Sequence, residues 1–197
     1  MERLPGDAAS FSFEFLERVE EGSLKLQIRN LLFSCADEFV PSLFTRKSPL
    51  EADPGGGEGA GSIQEYAKEM LSQSFLVCRD PAGRLAGFMS FRRLSEHPEV
   101  FFAGDINYIS TICVQPEYRR KGLLRRFYDL MVEDSPLFRP VLATRTWSTN
   151  TPHIRVLEDK GFSLTSRKKD HRGPGIDTVY YAKALSKDID TVRRRGQ

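Results

Sequence analysis

The sequence predicts an α/β (α+β) domain in which helices cover both faces of a mixed central sheet. Three observations lead there. Apolar residues recur at helical spacing in several segments, for example Leu24, Ile28, Leu31, Leu32, Cys35 and Phe39. Between them lie runs rich in β-branched and aromatic residues, of which Ile106–Val114 is the most β-prone. The two kinds alternate in the order β-α-α-β-β-β-α-β-α-β-β, and such interleaving places helices on both sides of one sheet. A chain of 197 residues can bury a core of this kind without disulfides.

Taken in order, Phe11-Ser-Phe-Glu-Phe15 alternates and reads as a first strand or N-terminal arm within 1–22. Ser23 offers an N-cap to a helix expected to reach about Phe39 and to stop before Pro41. Residues 48–61 hold a glycine cluster (Gly55, Gly56, Gly57, Gly59, Gly61) that reads as a flexible loop. It lacks the preceding strand and following Lys-Ser/Thr of a phosphate loop. Ser62-Ile-Gln-Glu65 is a capping box, so a second helix runs to about Ser72. Residues 75–79 and 85–91 form a hairpin across the turn Asp80-Pro-Ala-Gly83. Ile106–Val114 follows as a strand, and Leu123, Leu124, Phe127, Leu130 and Met131 mark an amphipathic helix. Val141–Trp147 is a strand. Thr151-Pro152 reads as an N-cap and first helical residue, and Gly161 as the end of that helix. Strands at 162–165 and 178–182 flank a turn at Gly173-Pro-Gly175, and the charged tail from 186 frays. The domain is expected over 23–185.

Composition narrows the function. With 29 basic and 27 acidic residues the net charge is +2, which does not mark a nucleic-acid binder. No apolar run is long enough for a membrane helix, and the first residues lack a signal peptide's apolar stretch. Cys35, Cys78 and Cys113 are odd in number, scattered and set among apolar neighbours. They read as buried packing residues, without metal spacing, in a cytoplasmic protein.

The chemistry concentrates where Ile106–Val114 runs through Pro116-Glu-Tyr into Arg119-Arg-Lys-Gly-Leu-Leu-Arg-Arg126 and a helix. A helix start leaves backbone N–H groups without intrahelical partners and favours an anion. Gly122 lets phosphate approach the backbone, and the arginines and Lys121 add countercharge. The residues alone read equally as a pyrophosphate site or as a solvated basic face.

The segment Val114-Gln-Pro-Glu-Tyr-Arg-Arg-Lys-Gly-Leu-Leu resembles motif A of the GCN5-related N-acetyltransferase (GNAT) superfamily, with Arg119-x-x-Gly122-x-Leu124 in place of its Q/R-x-x-G-x-G/A. Val141–Trp147 looks like the family's fifth strand. Asn150-Thr-Pro-His, then Val156-Leu-Glu-Asp-Lys-Gly161-Phe162, is similar to its following helix. The resemblance spans about residues 70–184. It implies a mostly antiparallel sheet whose central strands splay around acetyl-coenzyme A (acetyl-CoA), and no metal. Backbone of Ile112, Cys113 and Val114 would pair with the pantetheine arm. The N–H groups of Arg120, Lys121, Gly122, Leu123 and Leu124 would hold the pyrophosphate, Arg119 would also belong to the cofactor site, and Asn150 would contact the arm. An amine acceptor, small molecule or protein, would attack the thioester directly, with an N–H near Cys113 polarising the carbonyl.

Two departures stand out. Leu124 replaces a small residue, so its side chain is expected in the core. Leu157 stands where many members carry a tyrosine thought to protonate the leaving thiolate. The attacking amine must lose its proton, and the family's frequent carboxylate position is Tyr108 here, with Asp105 the nearest acid. Tyr108 reads as a base acting through water or as pocket lining, Asp105 as a base or a turn residue. His153 reads as helix-start surface or as facing the thioester, Trp147 as core or pocket floor, and Ser148 as a thiol contact or a loop cap. His97 and His171 fall in loops without ligand spacing. The basic runs 167–172 and 193–195 read as solvated, or as contacts to the coenzyme's 3′-phosphate or an acidic partner. The expected protein is thus a monomeric or homodimeric N-acetyltransferase without membrane partners. Its alternatives are a catalytically weak or inactive acyl-CoA-binding module, and a nucleic-acid-associated protein whose binding would depend on salt.

Overall fold

The computed structural model describes residues 11–45, 62–102, 104–133 and 139–185. The glycine cluster at 48–61, residues 1–10 of the expected arm and the tail from 186, including 193–195, lie outside the described residues. The chain forms two compact units, one ending at Phe91 and resuming at Ser110–Phe127, the other made of Arg92–Ile109 and the chain from Tyr128.

The first unit holds β1 (Ser12–Leu16), α1 (Ser23–Cys35), α2 (Ile63–Met70), β2 (Ser74–Arg79), most of β3 (Leu85–Leu94), the later half of β4 (Ile106–Val114) and the first turn of α3 (Leu123–Glu133). β1 and β3 both run antiparallel to β2, with Phe13 opposite Cys78 and Val77 opposite Phe88. Side chains alternate across a strand, and β2 buries both of its faces. Phe75, Val77 and Phe88 join Ile28, Leu32, Tyr66 and Met70 of α1 and α2 in one core. On the opposite face Phe13 meets Phe127 of α3, ring centroids 5.3 Å apart and nearly perpendicular. Helices therefore cover both faces, as the alternation predicts.

The ends of the helices differ from expectation. α1 stops at Cys35, and a 3₁₀ turn, Ala36–Glu38, carries the chain to an extended Phe39. Apolar periodicity alone does not separate one helical type from the other over a single turn. The capping box forms: Glu65 N–H donates to Ser62 Oγ (3.2 Å) and Ser62 N–H to Glu65 Oε2 (3.1 Å). That helix ends at Met70 rather than Ser72.

In the second unit the start of β4 pairs in parallel with β5 (Val141–Trp147), from Ile106 opposite Val141 to Ile109 opposite Thr144. β7 (Thr178–Ala184) runs antiparallel to β5, and β6 (Ser163–Lys168) antiparallel to β7. The hydrogen-bonded order is β1-β2-β3-β4-β5-β7-β6. Residues 110–114 of β4 and 145–147 of β5 lie past the last pair of the parallel ladder. α4 (Thr151–Asp159) buries Val156 and Leu157. Its cap is Asn150, and Thr151 is already helical, a shift of one residue from the expected start. Gly161, at φ +75°, ends it as the sequence predicts.

Candidate functional site

In the first unit the site grows from the end of β4. Gln115 N–H donates to Ala86 O (2.9 Å), and β3 passes so close at Gly87 that a Cβ there would lie 2.9 Å from Cys113 O. Beyond the 3₁₀ turn Pro116–Tyr118, the Tyr118 hydroxyl donates to Asp80 Oδ2 (2.6 Å). Asp80 also accepts from Arg84 Nε and from the backbone N–H of Ala82 and Arg84. The Tyr118 hydrogen bond first, then the bonds and charge of Arg84, lower its pKa to about 2. The hairpin turn thus anchors the entrance to the loop.

Arg119 turns back on the protein. Its Nε donates to Val114 O (3.0 Å), and its Nη2 to Glu38 Oε1 (2.8 Å) and Cys35 Sγ (3.6 Å). Arg120 (φ +60°) and Gly122 (φ +81°) both take left-handed backbone, rare for a non-glycine residue. The first bond of α3 is Arg126 N–H to Gly122 O (3.0 Å), so the N–H groups of Leu123 and Leu124 precede the helical ladder. A Cβ on Gly122 would meet no atom within 4 Å. Arg120 and Lys121 are exposed, and the Lys121 ammonium lies 5.1 Å from the centroid of the Tyr118 ring. Open space, helix-start donors and surrounding cations make this loop chemically suited to a phosphate group. Leu123, not Leu124, is the buried side chain; Leu124 is half-buried, which corrects the sequence expectation.

Ile112 and Val114 are half-buried, and Cys113 is buried between them. All three cysteines are buried and unpaired by disulfide. A hydrogen bond from Cys113 is the largest influence bringing the Cys35 thiol down to about 7, and burial pushes Cys78 up to about 12.

In the second unit Tyr108 is fully buried, and its hydroxyl has no partner among the described residues. Burial pushes its phenol well above the ordinary value, so it stays protonated at neutral pH. The His97 ring stacks on it, centroids 4.7 Å apart and 8° from parallel. His97 Nδ1 accepts from Glu99 N–H (3.1 Å), which leaves the proton of the neutral ring on Nε2. Burial, with the charge of Arg145, lowers His97 to about 4. Asp105 accepts from Arg139 Nη1 (2.8 Å) beside Gly104, which has φ +105°. Asn150 Nδ2 donates to Thr146 Oγ1 (3.0 Å).

Several readings change here. His153 is no surface side chain: it is half-buried, Nε2 lies 2.7 Å from the Tyr128 hydroxyl, and burial lowers it to about 4. The 167–172 run is not simply solvated. Arg167 pairs with Asp177, Lys168 with Glu99, and Arg172 is buried over the half-buried Trp147 (5.8 Å). His171 shares a hydrogen bond with Thr178 (2.9 Å), and Ser148 Oγ accepts from Asp177 N–H (2.9 Å), a loop-capping role. Sequence reasoning passed over Arg145 and took Arg172 only as part of the basic run 167–172. The available signal was the strand period, which sets Arg145 and Trp147 on one face. Among the described residues no three His, Cys, Asp or Glu side chains group as metal ligands, and no helix is long and apolar enough to cross a membrane.

Comparison with known proteins accords with this architecture. The family model described as the acetyltransferase (GNAT) family matches residues 37–162, and the chain belongs to that family. A GNAT-family structure from Desulfovibrio desulfuricans is 19% identical, with a TM-score of 0.62 covering 90% of this chain and 100% of that one. The ribosomal-protein-S5-alanine acetyltransferase of Vibrio fischeri is 14% identical, with a TM-score of 0.59 over 95% and 98%. The yncA protein of Salmonella typhimurium, solved with its cofactor acetyl-CoA, is 13% identical, with a TM-score of 0.58 over 93% and 98%. At these identities the likeness is one of fold. No curated protein matches the chain.

Proposed function

We propose that the protein is an acetyl-CoA-dependent N-acetyltransferase whose amine acceptor attacks the thioester directly in a ternary complex. The observation that carries this reading is the loop from Arg119 to Leu124, with left-handed Arg120 and Gly122, open space over Gly122 and helix-start N–H groups. Acetyl-CoA supplies the activated acetyl group. Backbone of Arg120, Lys121, Gly122, Leu123 and Leu124 binds its pyrophosphate, and that of Ile112, Cys113 and Val114 binds the pantetheine arm as an added strand. Asn150 contacts the arm. Arg119 acts as a positioning residue, because its guanidinium fastens the loop to the Val114 carbonyl.

Tyr108 serves as pocket wall and hydroxyl donor, since a phenol held above its ordinary pKa is a poor base. Asp105 serves as a turn residue fixed by Arg139. The acceptor is then best an amine that sheds its proton on desolvation in the site. Buried Leu157 supplies no acid, and a thiolate of ordinary pKa, about 8.5, leaves with little help. The reading has one acetyltransferase domain over 23–185, in a cytoplasmic monomer or homodimer. An acceptor screen that follows thiol release tests it. Turnover that disappears in Gly122→Glu is the expected result; acetyl-CoA binding without transfer to any amine would favour the inactive binding module.

A further inference from the structure

One sheet face of the second unit is cationic and aromatic. Register puts Tyr108 opposite Ala143, Arg145 opposite Tyr180 and Trp147 opposite Thr178, so these side chains share that face. Arg172 lies over Trp147, its Nε donating to Thr178 Oγ1 (2.9 Å), and it is only 8% exposed. Lys168 adds a third cation, 5.7 Å from the Tyr180 ring centroid. Glu99 neutralises Lys168 in part, with one oxygen on its ammonium (2.9 Å) and the other on Ser166. Burial dominates at Tyr108 and His97, but the charges of Arg145 and Arg172 act against it at the Tyr108 oxygen, and Arg145 adds to it at His97. The Tyr108 hydroxyl, fully buried and without a partner among the described residues, is a donor in the field of those charges. Arg145 and Trp147 are half-buried, while Tyr108 and Arg172 are buried.

We propose that Arg145 and Arg172, with the Tyr108 hydroxyl, form a carboxylate subsite, so that the acceptor is a small amino acid rather than a simple amine. The proposal rests on the acetyltransferase reading above. Guanidinium groups suit carboxylates because their planar donor forks match the two oxygens. The face of Trp147 packs the acceptor's carbon skeleton. With its carboxylate fixed, the amino acid presents a neutral amine to the thioester carbonyl. The N–C bond forms, the C–S bond breaks with its electron pair going to sulfur, and the amine's surplus proton passes through water to the thiolate.

The test compares amino acids with their carboxamides in the thiol-release assay, alongside calorimetric binding of each series to the full chain saturated with coenzyme A. The carboxamide has the more easily deprotonated amine, so chemistry alone favours it. The subsite predicts the reverse: kcat/KM at least tenfold higher for the acid, carried by KM. In Arg145→Gln that ratio falls to near one. Arg145 is less buried than Arg172, so this variant stays informative if Arg172→Gln fails to fold. Equal use of acid and carboxamide, or a ratio unmoved by Arg145→Gln, would overturn the subsite while leaving acetyl transfer intact. A preference for phosphoethanolamine over ethanolamine, with none for carboxylates, would also overturn it. Loss of acetyl-CoA binding itself would instead point to failure of the underlying reading.

Discussion

Gly122 combines left-handed backbone at φ +81° with empty space where a side chain would project. Gly122→Ala is therefore strained but uncrowded, and costs roughly 1 kcal/mol in stability, whereas Gly122→Glu puts a carboxylate where a phosphate is to bind. The glutamate variant is expected to weaken acetyl-CoA at least tenfold, with a melting temperature close to that of the alanine variant. Tyr108→Phe removes a buried hydroxyl that lacks a partner among the described residues. Stability should hold or rise, by up to about 1 kcal/mol, and turnover at saturating acceptor should persist, the loss falling on KM. A hundredfold drop in kcat with acetyl-CoA affinity intact would restore Tyr108 as the base. At this scale the 119–124 loop, the candidate phosphate site, was legible as a loop, because its glycine, cations and helix start are adjacent in sequence. The Arg145–Arg172–Tyr108 group was not, because it is assembled from separate strands and a turn whose register no local pattern reveals. His153 was misjudged for a related reason: its partner, Tyr128, comes from another helix.

Elements were easier to read than their ends. β4 and β5 carry dense β-branched runs, and both match the predicted spans. α1 gives way to a 3₁₀ turn before its stripe runs out, and α4 begins one residue early because Asn150 takes the cap. The capping box of α2 was correct in detail, since it depends only on residues three apart. Ser62→Ala should cost about 1 kcal/mol, seen as a lower denaturation midpoint with unchanged slope. Gly87 has a different kind of importance. A methyl there would press on the Cys113 carbonyl at 2.9 Å, a backbone atom that cannot swing aside. Gly87→Ala should destabilise by about 1–3 kcal/mol and weaken acetyl-CoA binding, because the strand it displaces carries the proposed pantetheine contacts. Wild-type stability in that variant would mean the strands have room to separate.

For the whole molecule, stability should fall with acid in two stages. His97 and His153 have folded-state values near 4 against an ordinary 6.5. Below that ordinary value the unfolded chain binds protons that the folded chain does not, so stability drops as pH falls from about 6.5 towards 4. Asp80 is held near 2 against an ordinary 3.8, so its contribution, present above 3.8, is lost as pH falls from there through about 2. Thermal melts across this range should show both stages, and His153→Gln should flatten the first; a melting temperature constant from pH 7 to 4 would contradict it. The fold class was legible because it follows from element order, which a sequence displays directly. The proposed acceptor face was less so, since it exists only once β4, β5 and β7 are paired. The most direct test of the account is a calorimetric titration of the full chain with acetyl-CoA, run beside Gly122→Glu. Saturable one-site binding that weakens at least tenfold in the variant is the predicted result. Absence of binding, or binding that Gly122→Glu leaves unchanged, would contradict the assignment of the 119–124 loop as the cofactor's anchor.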